Sequence, residues 1–293
     1  MNRGIATTQA MDRIRALRNP IRHYAWGSHD AIAAWTGRPT PTEQPEAELW
    51  LGAHPSDPSH VVLDDEGLTT ERLDAWIARD PARALGPRVV RQFGNELPFL
   101  LKVLAAAEPL SIQAHPDQEQ ARKGWARQNA EGIPVDAPRR SNRDQNHKPE
   151  LLCALTPFTA LKGFRAAGEI AHHLEPIAGS ELDREVARLG RERTPAALRA
   201  LFTRLMTLES DEKDAVLARG LEEAARQGPE DPAWAWVETL HAKYPGDTGS
   251  LSPLYLNLLT LEPEQALFLP AGEMHAYLEG TAIEIMANSD NVL

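Results

Sequence analysis

Leu110-Ser111-Ile112-Gln113-Ala114-His115-Pro116 alternates apolar and polar side chains residue by residue. In an extended strand alternate residues share a face, so this spacing points Ser111, Gln113 and His115 one way and Leu110, Ile112 and Ala114 the other. Glu273-Met274-His275-Ala276-Tyr277-Leu278 repeats the pattern, with Glu273, His275 and Tyr277 together. Lys148-Pro149-Glu150 and Ile283-Glu284-Ile285 repeat it again. One such segment is ordinary for a strand with a solvated face. Several of them, each with His, Glu or Gln opposite a strongly apolar face, are harder to explain that way. If the apolar faces pack against surrounding layers, the polar faces line a barrel interior. Buried polar groups need partners, and one divalent ion satisfies several at once. Two imidazoles, a carboxylate and an amide oxygen form a ligand set that zinc fits and that manganese, iron or cobalt also accepts. Without a thiolate and with room for water, such a site reads as catalytic.

The texture around these segments divides the chain in three. From Leu17 to about Gly163 short β-like runs alternate with turn residues, among them Glu48-Leu49-Trp50-Leu51-Gly52, Ser59-His60-Val61-Val62-Leu63 and Pro98–Val103-Leu104. Runs of this length suggest a sandwich or barrel. Helices are expected within it at Thr70–Arg79 and, after Pro116, at Asp117–Asn129. From Ala166 to Tyr244 the pattern turns helical. Ser180-Glu181-Leu182-Asp183 reads as a capping box, Thr194-Pro195 as an N-cap followed by proline, and Ser210-Asp211-Glu212 as a third helix start. Trp234 and Trp236 are expected to pack this unit against the barrel. Pro245-Gly246 ends it, and strands return at Leu254–Leu261, Ala266–Leu269 and Thr281–Met286. The expected architecture is mainly β: a barrel over residues 1–165 completed by 246–293, interrupted by a helical insertion over 166–245.

The chain has 293 residues, 42% of them hydrophobic and 25% charged, with a net charge of −11. That balance excludes a broad surface for phosphate backbones, so nucleic acid is not an expected partner. A small anion could still be held by a few cations gathered at one place. The single Cys153 lies in the apolar run Leu151–Leu155 and reads as a buried, inert thiol. Met1–Leu17 is polar and lacks the apolar centre of a signal peptide. The most apolar stretch, Leu97–Ala107, is interrupted by Lys102 and is too short to span a bilayer. A soluble, cytoplasmic protein is expected.

Longer motifs then point to a family. Asn19-Pro20-Ile21 with Tyr24-Ala25-Trp26-Gly27, Ala47–Pro55, Leu97–Leu104 and Leu110–Pro116 occur in order. Asn146-His147-Lys148-Pro149-Glu150, Leu161-Lys162-Gly163-Phe164-Arg165, Met274–Leu278 and Ala287–Val292 follow. In these stretches the chain resembles the type I phosphomannose isomerases, zinc enzymes with a cupin-type β-barrel (jelly roll). The resemblance covers nearly everything outside the N-terminal dozen residues and the helical insertion. It implies interconversion of mannose 6-phosphate and fructose 6-phosphate, with one zinc held by Gln113, His115, Glu150 and His275. It also implies that Ser111 and Lys102 hold the substrate phosphate.

Aldose–ketose isomerisation through an enediol needs a base near C1 and C2 and stabilisation of oxyanion charge. Glu284, polar between two isoleucines, is the candidate for proton transfer. Lys148, on the face of Glu150, is a candidate for stabilising the enediolate. His54 and Asp290 are candidates for ring opening, Tyr277 for a hydrogen bond to the sugar, and Trp26 for stacking on it. The other histidines carry no partner pattern. The chain stops at Leu293, where the family continues to a substrate-contacting arginine and a second β-domain. This leaves a second expectation open, a catalytically weak cupin that binds sugar phosphate. A monomer is expected.

Overall fold

The amide and carbonyl groups of β11 (His275–Ala287) are shared by three neighbouring strands, and this one long strand organises the molecule. The computed structural model describes residues 14–64 and 66–293. Most of the polar N-terminal stretch read above, Met1–Arg13, lies outside them. In chain order, β1 (Leu17–Arg18) and β2 (Ile21–Arg22) precede the short α1 (Ala31–Trp35), then β3 (Glu48–Gly52), β4 (His60–Val62) and β5 (Thr70–Arg72). Three short helices follow, α2 (Leu73–Arg79), α3 (Pro81–Leu85) and α4 (Pro87–Phe93). Next come β6 (Phe99–Ala106), α5 (Gln118–Ala130), β7 (Glu150–Ala154) and β8 (Phe158–Phe164). Four helices then run in succession: α6 (Ala167–Glu192), α7 (Pro195–Met206), α8 (Ser210–Gln227) and α9 (Pro232–Lys243). A 3₁₀ turn, Thr248–Leu254, leads into β9 (Leu256–Leu261), β10 (Ala266–Leu269) and β11.

The large antiparallel sheet runs β10-β7-β11-β6-β3-β2. The second half of β11 lies between β6 and β7, while its first half pairs with β8, which in turn pairs with β9. The architecture is thus the mainly antiparallel, cupin-type one with a helical region. Cross-strand register decides what faces inward. Trp50 stands opposite Lys102, Lys102 opposite Glu284, and Met286 opposite Glu150. One layer along, Glu48 faces Leu104 and Leu104 faces Ala282. The inward face therefore passes from charged residues into an apolar plug of Leu104, Leu152, Ala154, Phe158 and Ala282.

A second core joins the helices to the outside of the barrel. Leu174, Ile177, Leu201, Val216 and Trp234 pack with Leu161, Leu256, Ala276 and Leu278. Trp234 is buried there and Trp236 packs at its margin. Removing Trp234's side chain would cost about 3–5 kcal/mol.

Several local expectations change. Thr70–Arg72 is not helical but a strand registered on β4, so the helix begins at Leu73. Asp117 caps α5 rather than joining it, accepting from Gln120 N while the Gln120 side chain takes the Asp117 N–H. Helix α6 begins well before Ser180. Its backbone breaks at Gly179 (φ 53, ψ −166), a conformation for which glycine has no steric penalty, so the expected start at Ser180 follows a kink instead of a loop. Thr194 caps α7 as expected, accepting from Ala197 N at 3.2 Å. For α8 the boundary residue is Glu209, whose N–H donates to Glu212 at 3.3 Å. Ser111–His115 is not a regular strand either: it makes a single bridge, Gln113 to His275. Cys153 is half-buried.

Candidate active site

Backbone pairing brings the first two segments together. Gln113 N donates to His275 O (2.8 Å) and His275 N to Gln113 O (2.9 Å), so the segment carrying Gln113 and His115 is clamped beside the start of β11. Glu150, the first residue of β7, is held opposite Met286 further along β11. One ligand atom from each of His115, Glu150 and His275 lies within 4.8 Å of the others. His115 Nε2 is 3.3 Å from one Glu150 oxygen and His275 Nε2 is 3.4 Å from the other. All three are buried.

The opposite ring nitrogens fix the tautomers. His115 Nδ1 donates to the Asn291 carbonyl (2.8 Å) and His275 Nδ1 to the Glu273 carbonyl (3.0 Å). Each Nε2 is thereby left as the free nitrogen aimed at Glu150, as in metal-bound imidazoles, whose other ring nitrogen donates to a carbonyl or carboxylate. His115 Nε2 is buried without a hydrogen bond, a cost that a cation would remove. Burial pushes the His115 imidazole down against the pull of Glu150. Burial would raise Glu150, but His115, His275 and Lys148 outweigh it and hold the carboxyl well below the usual range. For His275 burial lowers and Glu150 raises, with the carboxylate prevailing. Gln113 lines the same recess as Glu150 and His275. Two imidazoles, a carboxylate and an amide beside an orphaned nitrogen fit a divalent cation.

A second charged group adjoins the first. Lys102 Nζ lies 3.2 Å from Glu48 and 3.3 Å from Glu284, and all three are buried. Trp50 Nε1 donates to the other Glu48 oxygen at 2.7 Å, and the Tyr277 hydroxyl donates to Glu284 at 2.8 Å. Burial and the nearby Glu150 raise the Glu284 carboxyl despite Lys102. Burial lowers Lys102, but Glu48 and Glu284 more than reverse that. Lys102 is therefore no solvent-facing strand lysine. Lys148 Nζ reaches Glu150 at 3.3 Å.

This inner recess, about 50 Å³, shares Glu48, Lys102, Leu110, Ser111, Gln113 and Lys148 with an outer cleft of about 470 Å³. Leu110 lines both along with Ser111, so the strict alternation read from the sequence fails at that residue. Trp26, stacked on Tyr24 at 5.6 Å, and Asp290 line the outer cleft. His54 Nε2 lies 3.4 Å from Asp290, which brings the two ring-opening candidates together. The Tyr277 hydroxyl, expected to meet a sugar, is engaged by Glu284.

Glu48 and Asn291 did not stand out in the sequence. A charge at an inward position of the apolar strand Glu48–Gly52 would have flagged Glu48. Asn291 reaches the site through its main chain, which leaves no signature in side-chain pattern.

Residues 14–167 match the model of the phosphomannose isomerase type I catalytic domain. The chain belongs to the type I phosphomannose isomerase family. The mannose-6-phosphate isomerase of Escherichia coli is 43% identical to it over 280 residues, covering 96% of this chain and 70% of that protein. The human mannose-6-phosphate isomerase is 35% identical over 307 residues, covering 97% and 69%. A zinc-bound mannose 6-phosphate isomerase structure superposes with a TM-score of 0.88 at 42% identity, covering 95% of this chain and 69% of that one. The Salmonella typhimurium enzyme bound to fructose 6-phosphate and zinc matches equally well. Membership of this family accounts for the order of the motifs along the chain. Among the described residues no helix is long and apolar enough to cross a membrane.

Proposed function

We propose that the chain interconverts mannose 6-phosphate and fructose 6-phosphate through an enediol, at a zinc site formed by Gln113, His115, Glu150 and His275. The observation that carries this reading is the buried His115–Glu150–His275 cluster, opening through Ser111 and Lys148 onto a cleft of sugar-phosphate size. A zinc ion bound there would polarise substrate oxygens as a Lewis acid.

The chain's own residues supply the rest. Glu284 moves the proton between C1 and C2. Burial raises its pKa toward the working pH, where a carboxylate can both accept and return a proton. Tyr277 and Lys102 hold one oxygen each and keep the carboxylate from rotating. Lys148, at the boundary of recess and cleft, places positive charge where the enediolate oxygens form. Ser111, exposed and lining both spaces, takes the phosphate together with Lys102, whose charge Glu48 and Glu284 partly neutralise. His54 and Asp290 assist ring opening by passing a proton at the cleft, and Trp26 stacks on the sugar.

The test is an assay coupled to fructose 6-phosphate formation from mannose 6-phosphate. Activity should disappear on chelation and return with zinc. Undiminished turnover by metal-free protein would remove the metal from the reading.

A further inference from the structure

In the segment after β11 one residue holds both the turn that precedes β7, through its side chain, and His115 of the metal cluster, through its carbonyl. Asn291 is completely buried, and its amide makes five hydrogen bonds. Its Oδ1 accepts from Arg143 N (2.6 Å) and Asp144 N (3.1 Å). Its Nδ2 donates to the carbonyls of Asp144 (3.1 Å) and Asn146 (2.9 Å) and to the Asp144 carboxylate (3.1 Å). Ser289 completes the knot, donating to both Asp144 carboxylate oxygens at 3.0 Å and accepting from Asn291 N at 3.2 Å. The Asn291 carbonyl then receives the proton of His115 Nδ1 at 2.8 Å.

Two ligands depend on this knot. The turn Arg143–Asn146 ends four residues before Glu150, so anchoring it sets where β7 begins. The His115 contact decides that Nδ1 carries the proton and that Nε2 faces Glu150. Those segments are separated by more than 140 residues from Asn291 in one case and by 176 in the other, so no local structure could align them. An asparagine is suited to the task because its amide oxygen accepts two N–H groups of the turn while its NH2 group donates back to it; a carboxylate can only accept, and a hydroxyl has one proton to give against the amide's two.

We propose that Asn291 is a positioning residue of the metal centre: its side chain docks the turn leading to Glu150 while its carbonyl sets the tautomer and direction of His115. The inference rests on the zinc reading above. Outer-shell partners of this kind are worth about 10–100-fold in metal affinity.

The test compares the full chain with Asn291→Asp and Ser289→Ala. Asn291→Asp keeps the shape and both accepted bonds but loses the three donated ones and sets a carboxylate against Asp144. Zinc dissociation constants are measured by competition with a chromophoric chelator, alongside the Tm of each metal-free protein and the visible spectrum of its cobalt form. Asn291→Asp should bind zinc about 10–100-fold more weakly and alter the cobalt bands. Ser289→Ala should shift affinity in the same direction by a smaller factor. A purely structural asparagine would lower the metal-free Tm and leave zinc affinity where it was, and that result overturns the proposal. Should Asn291→Asp fail to fold, Ser289→Ala decides alone, with wild-type affinity counting against. A wild-type chain that takes up no zinc would instead sink the metal reading, and this inference with it.

Discussion

Lys102 and Glu284 stand opposite one another in register on β6 and β11, with Nζ 3.3 Å from Oε2. The pair adjoins the His115–Glu150–His275 cluster without belonging to it, so the proposed proton-transfer group can be altered while the proposed ligands stay in place. Glu284→Gln keeps the shape and an acceptor for Tyr277 but cannot take a proton. Isomerisation should fall by about 10²–10⁴-fold, with zinc content unchanged by metal analysis. Retained activity would remove Glu284 from the role.

Metal removal should cost stability as well as activity. Zinc at the proposed site would bind only the folded arrangement, whose ligands come from distant segments, so it would stabilise by mass action. At a free concentration of about 1,000 times its dissociation constant the gain is about 4 kcal/mol. For a chain of this size that is roughly 10 °C in Tm. Thermal melts before chelation, after it and after zinc is restored check this; coincident melts would argue that no ion is held.

How much of this was legible beforehand differs by residue. Gln113, His115, Glu150 and His275 lie in recognisable motifs, and the structure brings the last three together. Alternation picks out the segments that carry His115, Glu150 and His275, but the first of them is not a regular strand. Leu110–His115 makes only one bridge, and its apolar residues divide, Leu110 going to the barrel plug and Ile112 to the helical core. Pairing across distant strands is what the chain alone hides. Lys102 reads as an interruption of an apolar strand, and only its register against Trp50 and Glu284 shows it as the centre of a buried charge group. The kink at Gly179 was similarly invisible, because Ser180 onward has the composition of a helix start whether or not a helix precedes it.

His54 gives the protein a pH signature. Burial pushes its imidazole below the ordinary value, with Asp290 pulling the other way. The unfolded chain therefore binds a proton at about pH 6.5 that the folded chain still refuses. Stability is full above that pH, falls as pH drops toward the folded pKa, and levels off below it. His115 shifts in the same direction and His275 in the opposite one, so the comparison is best made with zinc bound, when ligation keeps both neutral. His54→Gln should flatten the decline of Tm between pH 7 and 5; parallel profiles for the two proteins would show that His54 does not cause it.

Gly27, next to the cleft-lining Trp26, marks where the backbone cannot give. A Cβ there would lie 2.5 Å from Ala47 N and 2.7 Å from its Cα, both backbone atoms of the segment entering β3. Gly27 itself is pinned by its N–H to Tyr24 O (3.0 Å) and by a bridge to Ala106, so neither side can retreat cheaply. Gly27→Ala should therefore cost about 1–3 kcal/mol, read as a lower urea midpoint. Because Ala47 is followed by Glu48, the strain also reaches the group that holds Lys102 and Trp50, and kcat/KM should fall with it. Gly37→Ala is the contrasting variant. Its φ of +71 carries a backbone penalty of about 1–2 kcal/mol, but an added Cβ meets nothing within 4 Å. It should lose comparable stability and keep its kinetics. Equal kinetic losses in the two variants would mean that general destabilisation, not displacement of Glu48, accounts for the effect at Gly27.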